Sequence, residues 1–458
     1  MNELDLLRRS ARELYEHALA SVDARRAVLD AVELRGPRLR VADVEFDLRA
    51  TPLRLYCVAL GKAAGAMASA LDERLGARLD GGVVSGPLNG ATLRGRWRVF
   101  AGGHPLPNEA SLAAARAAFE LLREADARAA LVLFLVSGGG SAMMEWPRDA
   151  AVTLEDLREA NRVLVSCGAS IAEINSVRRA LSAVKGGGLA ARAPRAAQLT
   201  LIVSDTGEGR EADVASGPTL CADDDPPGTK VVERYGLAEK LPPAVVRALT
   251  QTEGRRGAWP EAGGLRRQHV LLDNARACEA AAGAARERGF VVEAARDLVE
   301  QRVEVGAAES VSRLLRLSRR EPSDGRVACL VSGGEFACPV RGPGVGGRNS
   351  ETALRCVFEF EKFLGESPAS AVESRAGVDA PRAVVALCAG TDGIDGNSPA
   401  AGALADHTTL ARARARALRP GPALEASDAY TFFEALGDAV VTGPTGTNVR
   451  DVRIMLAM

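Results

Sequence analysis

Five loops in this 458-residue chain carry side chains that could hold a charged group or move a proton. Ser137-Gly138-Gly139-Gly140-Ser141 follows the apolar run Leu131 to Val136. Three glycines let consecutive backbone N–H groups turn toward one point, and the two hydroxyls add donors, a combination suited to phosphate. Gly61-Lys62-Ala63-Ala64-Gly65 follows the apolar run Leu55 to Leu60 and sets an ammonium ahead of the alanine-rich helical stretch Ala63 to Leu75. Its spacing is not that of a Walker A loop. Ser204-Asp205-Thr206-Gly207 and Thr391-Asp392-Gly393-Ile394-Asp395-Gly396 end two more apolar runs in carboxylates, which can hold Mg2+ or accept a proton from a hydroxyl. Asp and Gly are also ordinary turn residues, and neither loop has the full ligand spacing of a calcium hand. Thr442-Gly443-Pro444-Thr445-Gly446-Thr447-Asn448 gathers hydroxyls, an amide and glycines after the short run Ala439 to Val441.

Two further segments bear on an anion. Asn175, Arg178, Ser182 and Lys185 are spaced so that on a helix they share roughly 80° of arc, with Ile174, Val177, Leu181 and Val184 beside them to pack inward. Gly186-Gly187-Gly188 follows at once, as at a closely approached backbone. Gly342-Pro343-Gly344-Val345-Gly346-Gly347 satisfies G-x-G-x-x-G, but a poor strand precedes it and no clear ribose-binding acid follows at about 20 residues. A glycine loop presenting Arg348 to an anion is the simpler reading. His104, in Gly102-Gly103-His104-Pro105, is the one histidine in an unusual loop.

The elements that must position these residues follow a repeated pattern. Residues 3 to 34 read as helices. From about residue 53, short apolar runs ending in Gly, Ser or Asp alternate with Ala- and Arg-rich amphipathic stretches, the pattern of β-α units on a parallel sheet. The rhythm breaks over residues 222 to 266 and then resumes. The expected organisation is an N-terminal α/β domain over 1–245, a linker over 246–268 and a C-terminal α/β domain over 269–458. Carboxyl ends of strands in such sheets bind ligands, which is where the loops above fall.

Composition narrows the function. Apolar residues make up 47% and charged residues 26%, and 58 basic residues face 59 acidic ones. A chain so balanced is not a general polyanion binder, and no nucleic-acid partner is expected. Only five of the basic residues are lysine, so Lys62 and Lys185, both near glycine, stand out where a compact ammonium is needed. The eight cysteines are dispersed, without metal-ligand or disulfide spacing, and fit a reducing cytosol. The longest apolar stretch, Ala129 to Val136, is far too short to span a bilayer.

In order along the chain, Gly61 to Met67, Gly103 to Pro107, Ser137 to Ser141, Glu173 to Gly187, Ser216 to Thr219, Gly346 to Asn349, Thr391 to Gly396 and Thr442 to Asn448 resemble the class II glycerate kinases, whose C-terminal part is the MOFRL domain. The resemblance implies two Rossmann-like α/β/α domains with largely parallel sheets and a ligand cleft between them. It also implies ATP- and Mg2+-dependent phosphorylation of D-glycerate to 2-phosphoglycerate. The expected site sets Lys62, Arg348 and Asp205 as catalytic groups. Ser137, Gly138, Gly139, Gly140, Ser141, Lys185, Thr391, Asp392 and Gly393 line the nucleotide, and Asp205 and Asp392 hold the metal. Partners are small molecules, with no membrane expected and a homo-oligomer compatible with the sequence. Two rival readings remain: a hydroxypyruvate reductase-like oxidoreductase using a nicotinamide cofactor, and a non-catalytic sugar-acid or nucleotide-binding protein.

Overall fold

A strand covered on both faces has no polar side to show, so its sequence reads as an unbroken apolar run. Such runs organise the first of two compact units, Ala24–Leu272, in the computed structural model. The structure describes residues 2–49, 53–221, 226–252, 263–320, 326–364 and 381–458. Strands β1 (Val32–Arg35), β2 (Arg38–Val41) and β3 (Val44–Asp47) form a small antiparallel sheet. Six more, β4 (Leu55–Leu60), β5 (Leu79–Ser85), β6 (Trp97–Phe100), β7 (Leu131–Ser137), β8 (Ala197–Val203) and β9 (Arg266–Leu272), make a sheet of order β6-β5-β4-β7-β8-β9. Every neighbouring pair in it is parallel. Tyr56, Val58, Leu60, Val132, Phe134 and Val136 pack with the helix Glu109–Ala127. The intervening Cys57, Ala59, Leu133 and Leu135 are equally buried, and the helix Ala64–Leu75 packs on the same strands.

The second unit combines Met1–Asp23 with Asp273–Met458. Its strands are β10 (Val291–Ala295), β11 (Ala328–Gly334), β12 (Val384–Gly390), β13 (Gly402–Asp406), β14 (Ala439–Val440) and β15 (Asp451–Ala457), in the order β10-β11-β15-β12-β13-β14. The helices Val303–Arg320, Arg348–Leu364 and Ala429–Leu436 supply the core of one face. The helices Glu3–Ser21 and Asn274–Glu287 pack on this sheet and on each other.

The two α/β units meet the expectation, and three details correct it. The second sheet is mixed: among the described residues, β10 and β11 pair parallel and its other neighbours pair antiparallel. Strand β15 enters the middle of the sheet from an irregular segment rather than from a crossover helix, so it runs against both neighbours. The expected domain limits also move at both ends. Helix Glu3–Ser21 belongs with the C-terminal half: Tyr15 Oη donates to the Gly390 carbonyl at 2.6 Å, and Arg8 pairs with Asp406 and Asp438. At the other boundary, β9 closes the first sheet beside β8, and helix Pro243–Thr252 extends into the expected linker. The remainder of that linker through residue 262 lies outside the described residues, as does Asp223 to Asp225. Finally, the helical reading of residues 3 to 34 stops short, because β1 begins at Val32.

Candidate active site

In the first unit, the loops after β4, β7 and β8 are clasped together. Ser137 is fully buried, and its Oγ accepts from the Ala63 N–H at 3.1 Å and contacts the Leu60 carbonyl at 3.3 Å. The Lys62 N–H donates to the Gly138 carbonyl at 2.8 Å. Ser137 therefore ties the lysine loop to the glycine loop through its hydroxyl. The glycines are required by what surrounds them. A Cβ on Gly138 would fall 1.9 Å from Asp205 Oδ2. Gly139 has φ +79, and a Cβ there would stand 3.0 Å from His104 Cδ2 and 3.3 Å from Lys62 Cγ. Lys62, His104 and Asp205 thus converge on backbone that only glycine can supply. Lys62 lies just ahead of the helix, which begins at Ala64.

A second cluster adjoins the Ser141 end of this loop. Helix Ile171–Leu181 is started by a Ser170 capping box and ends at Ser182, whose backbone is extended. Lys185 therefore lies beyond the helix, and the four-residue stripe breaks after Arg178. Lys185 is 1% exposed and ion-pairs with Glu145, itself buried. Ser182 Oγ donates to the other Glu145 oxygen at 2.5 Å. Burial pushes the Lys185 ammonium below its ordinary value, and Glu145 pulls it back. Ser141, Glu145, Asn161, Arg178 and Lys185 line one small hollow of about 30 Å3, completed by apolar side chains and two prolines. Glu145 has no spacing signal in the sequence, which is why it was missed.

In the second unit, the carboxyl ends of β11 and β12 flank the start of β15, so Asp451 faces both Gly334 and Gly390. Arg348 opens the helix Arg348–Leu364. Its Nε donates to Asp451 Oδ2 at 2.6 Å and its Nη2 to Glu335 Oε1 at 2.5 Å. These carboxylates raise the guanidinium's affinity for its proton against the opposing cost of burial. Asp395 caps that helix, accepting from the N–H groups of Gly347, Asn349 and Ser350 at 2.8–3.1 Å and from Ser350 Oγ at 2.6 Å. A Cβ on Gly390 would sit 3.3 Å from Asp392 Oδ1 and 3.4 Å from Asp451 Oδ1, so these two acids approach one point. Thr391 and Gly393 belong to the packed loop pair: Thr445 Oγ1 donates to the Thr391 carbonyl at 2.6 Å, and a Cβ on Gly393 would strike the Gly443 carbonyl. The sequence reading missed Asp451 and Tyr15.

Comparison with known proteins decides the family. A model described as a domain of unknown function, DUF4147, matches residues 10–250, and the MOFRL family model matches residues 328–451. The D-glycerate 2-kinase of Thermotoga maritima is 32% identical over 88% of this chain and 90% of its own length. The glycerate kinase of Homo sapiens is 32% identical over 98% of this chain and 93% of its own. A crystal structure of the Thermotoga maritima glycerate kinase superposes with a TM-score of 0.76 at 30% identity, covering 99% of this chain and all of that one. This chain belongs to the glycerate kinase family. An Agrobacterium vitis protein, 35% identical over 88% of this chain and 99% of its own, bears the name hydroxypyruvate reductase on a provisional basis.

Within this family member, the G-x-G-x-x-G stretch has a structural task. Residues 338–347 contain no strand to launch a dinucleotide turn. Gly342 and Gly344 pack against the backbone of Ala426 and Asp428, and a Cβ on Gly347 would stand 2.4 Å from Asp395 Oδ1. The run thus seats the start of Arg348–Leu364. Among the described residues, no group of three or more His, Cys, Asp or Glu converges on one point. A Mg2+ ion that arrives on phosphates needs only one or two carboxylates, and Asp205 and Asp392, at glycine-rich strand ends, have that hard-oxygen character. No helix among the described residues is long and apolar enough to cross a membrane.

Proposed function

We propose that this protein transfers the γ-phosphoryl group of ATP to the 2-hydroxyl of D-glycerate. The observation that carries the reading is the meeting of Lys62 and Asp205 on the Gly138-Gly139 backbone, in a chain aligned nearly end to end with glycerate 2-kinases. Phosphoryl transfer asks the protein mainly for position and charge neutralisation. Backbone N–H groups of Gly138 to Ser141 supply fixed dipoles for phosphate oxygens, and Lys62 supplies a compact positive charge for the migrating group. Asp205 accepts the hydroxyl proton as the new O–P bond forms and the bond from the γ-phosphorus to the β-phosphate oxygen breaks, with ADP leaving. Asp205 or Asp392 would hold Mg2+, which when bound would supply neutralisation of phosphate charge. Arg348, held by Asp451 and Glu335 within the second unit, is proposed as a further catalytic guanidinium, and Lys185 serves through the hollow it lines.

Replacing Lys62 tests this assignment. Lys62→Ala is expected to lower D-glycerate-dependent ADP release by about 10²- to 10³-fold, the usual effect of removing one charge-stabilising donor, with the unfolding midpoint nearly unchanged. Activity within about threefold of the parent would exclude Lys62 from the transfer step.

A further inference from the structure

We infer that the hollow beside the glycine loop holds the carboxylate of the acceptor, and that Arg178 is the residue that grips it. The inference rests on the glycerate reading above and names its acceptor subsite. Two cations, Arg178 and Lys185, and one anion, Glu145, line this hollow. Glu145 is spent: Oε2 takes Lys185, and Oε1 takes Ser182 Oγ and the Trp146 N–H. Arg178 has no such partner. Its Nε and Nη2 donate to Asn161 Oδ1 and its Nη1 reaches Asn175 Oδ1 at 3.5 Å, all neutral amide oxygens. No carboxylate among the described residues forms an ion pair with it; burial works against its charge, and Glu145, already bonded to Lys185, offsets this only in part and without a direct contact.

With two cations and one anion the hollow carries a net positive charge, and Arg178 presents a planar fork with N–H groups to spare, the geometry that takes a carboxylate in two parallel bonds. Its apolar walls, among them Leu157, Leu164 and Leu181, suit a short carbon chain. Ser141 lines the hollow from the glycine loop. In a 2-hydroxy acid the hydroxyl is one carbon from the carboxylate, so an acceptor anchored here presents its 2-position to the loop before its 3-position. Asn161 acts as a positioning residue: a helix residue, it holds the guanidinium plane through two bonds to one oxygen.

The test uses the full chain in two arms. In steady state, Arg178→Gln should raise KM for D-glycerate about 10- to 100-fold and Arg178→Lys less, as expected for loss of a charge-assisted pair. KM for ATP should stay within about twofold. Asn161→Ala, which leaves the cation in place but loosens it, should raise the same KM about three- to tenfold with kcat little changed. In the second arm, calorimetry without nucleotide should detect D-glycerate binding to the parent protein, no binding of glycerol, which lacks the carboxylate, and weakened D-glycerate binding to Arg178→Gln. An unchanged glycerate KM in folded variants, a rise in KM for ATP instead, or equal glycerate binding by parent and variant would overturn the assignment. Glycerate binding through Arg178 without ADP release would leave the subsite standing and remove the kinase reading. Normal ADP release with indifferent Arg178 variants would do the reverse.

Discussion

Removing Glu145 isolates a charge that the fold otherwise compensates in a dry setting. Lys185 is 1% exposed and Glu145 6%, so Glu145→Gln leaves an ammonium with neither water nor counter-charge. Breaking a buried pair from one side costs about 3–5 kcal/mol. For a unit the size of Ala24–Leu272, each kcal/mol lowers the midpoint by roughly 2–4 °C, so a drop of about 6–20 °C is expected. The sign of the pH dependence follows from the same residue. Burial depresses the folded-state Lys185 value below the ordinary 10.5, and the variant lacks the opposing pull of Glu145. Between the depressed value and 10.5 the unfolded chain binds the extra proton, so the variant's stability rises with pH across that window. Urea unfolding followed by tryptophan emission, at pH 7 and in steps toward pH 10, measures both effects. A Glu145→Leu/Lys185→Met double variant should recover most of the loss, because an apolar replacement of a buried pair is often neutral or better. A loss under about 1 kcal/mol, or a deficit that stays constant with pH, would refute the reasoning.

Other perturbations probe the remaining contacts. Gly138→Ala forces a methyl onto Asp205 and should cut turnover at least about tenfold by displacing that carboxylate, which steady-state kinetics on the folded variant will read. Asp395→Asn sets an amide among four donors at the head of the helix Arg348–Leu364. It should cost about 2 kcal/mol or more in urea unfolding and lower turnover by loosening Arg348. Glu173 has its carboxyl held down to about 2 by the Ser170 N–H and hydroxyl, with Tyr235 and Arg234 adding to this. Its stabilisation is complete above the ordinary value of 4.5 and is lost as pH falls toward 2. Glu173→Gln should therefore flatten the acid limb of the parent's stability profile.

The first unit was more legible than the second for a physical reason. Strands β4, β7 and β8 are covered on both faces, so Leu55 to Leu60, Leu131 to Val136 and Leu199 to Val203 stood out as unbroken apolar runs. In β15, Arg453 interrupts the run, and the strand was not read at all. That guanidinium is fully buried, bonded to Ser332 Oγ and the Leu298 and Gly333 carbonyls and stacked 3.7 Å over the Phe336 ring. Only the tertiary setting makes Arg453 a core residue, and without β15 the sequence offered no route to Asp451. Helix Glu3–Ser21 was seen as a helix, but its apolar stripe cannot tell which sheet it will cover. The loops on Lys62, Ser137 and Asp205 were legible because each terminates a clear strand. Glu145 was silent because its partners lie 37 and 40 residues away.

Product identity tests the central claim most directly. The protein is incubated with ATP, Mg2+ and D-glycerate, and the phosphoglycerate is identified by NMR, with NADH and hydroxypyruvate as a parallel reaction. The account predicts ADP and phosphorus coupled to the C2 proton, with no NADH consumed. Hydride transfer to hydroxypyruvate, or neither reaction in folded protein, would contradict it.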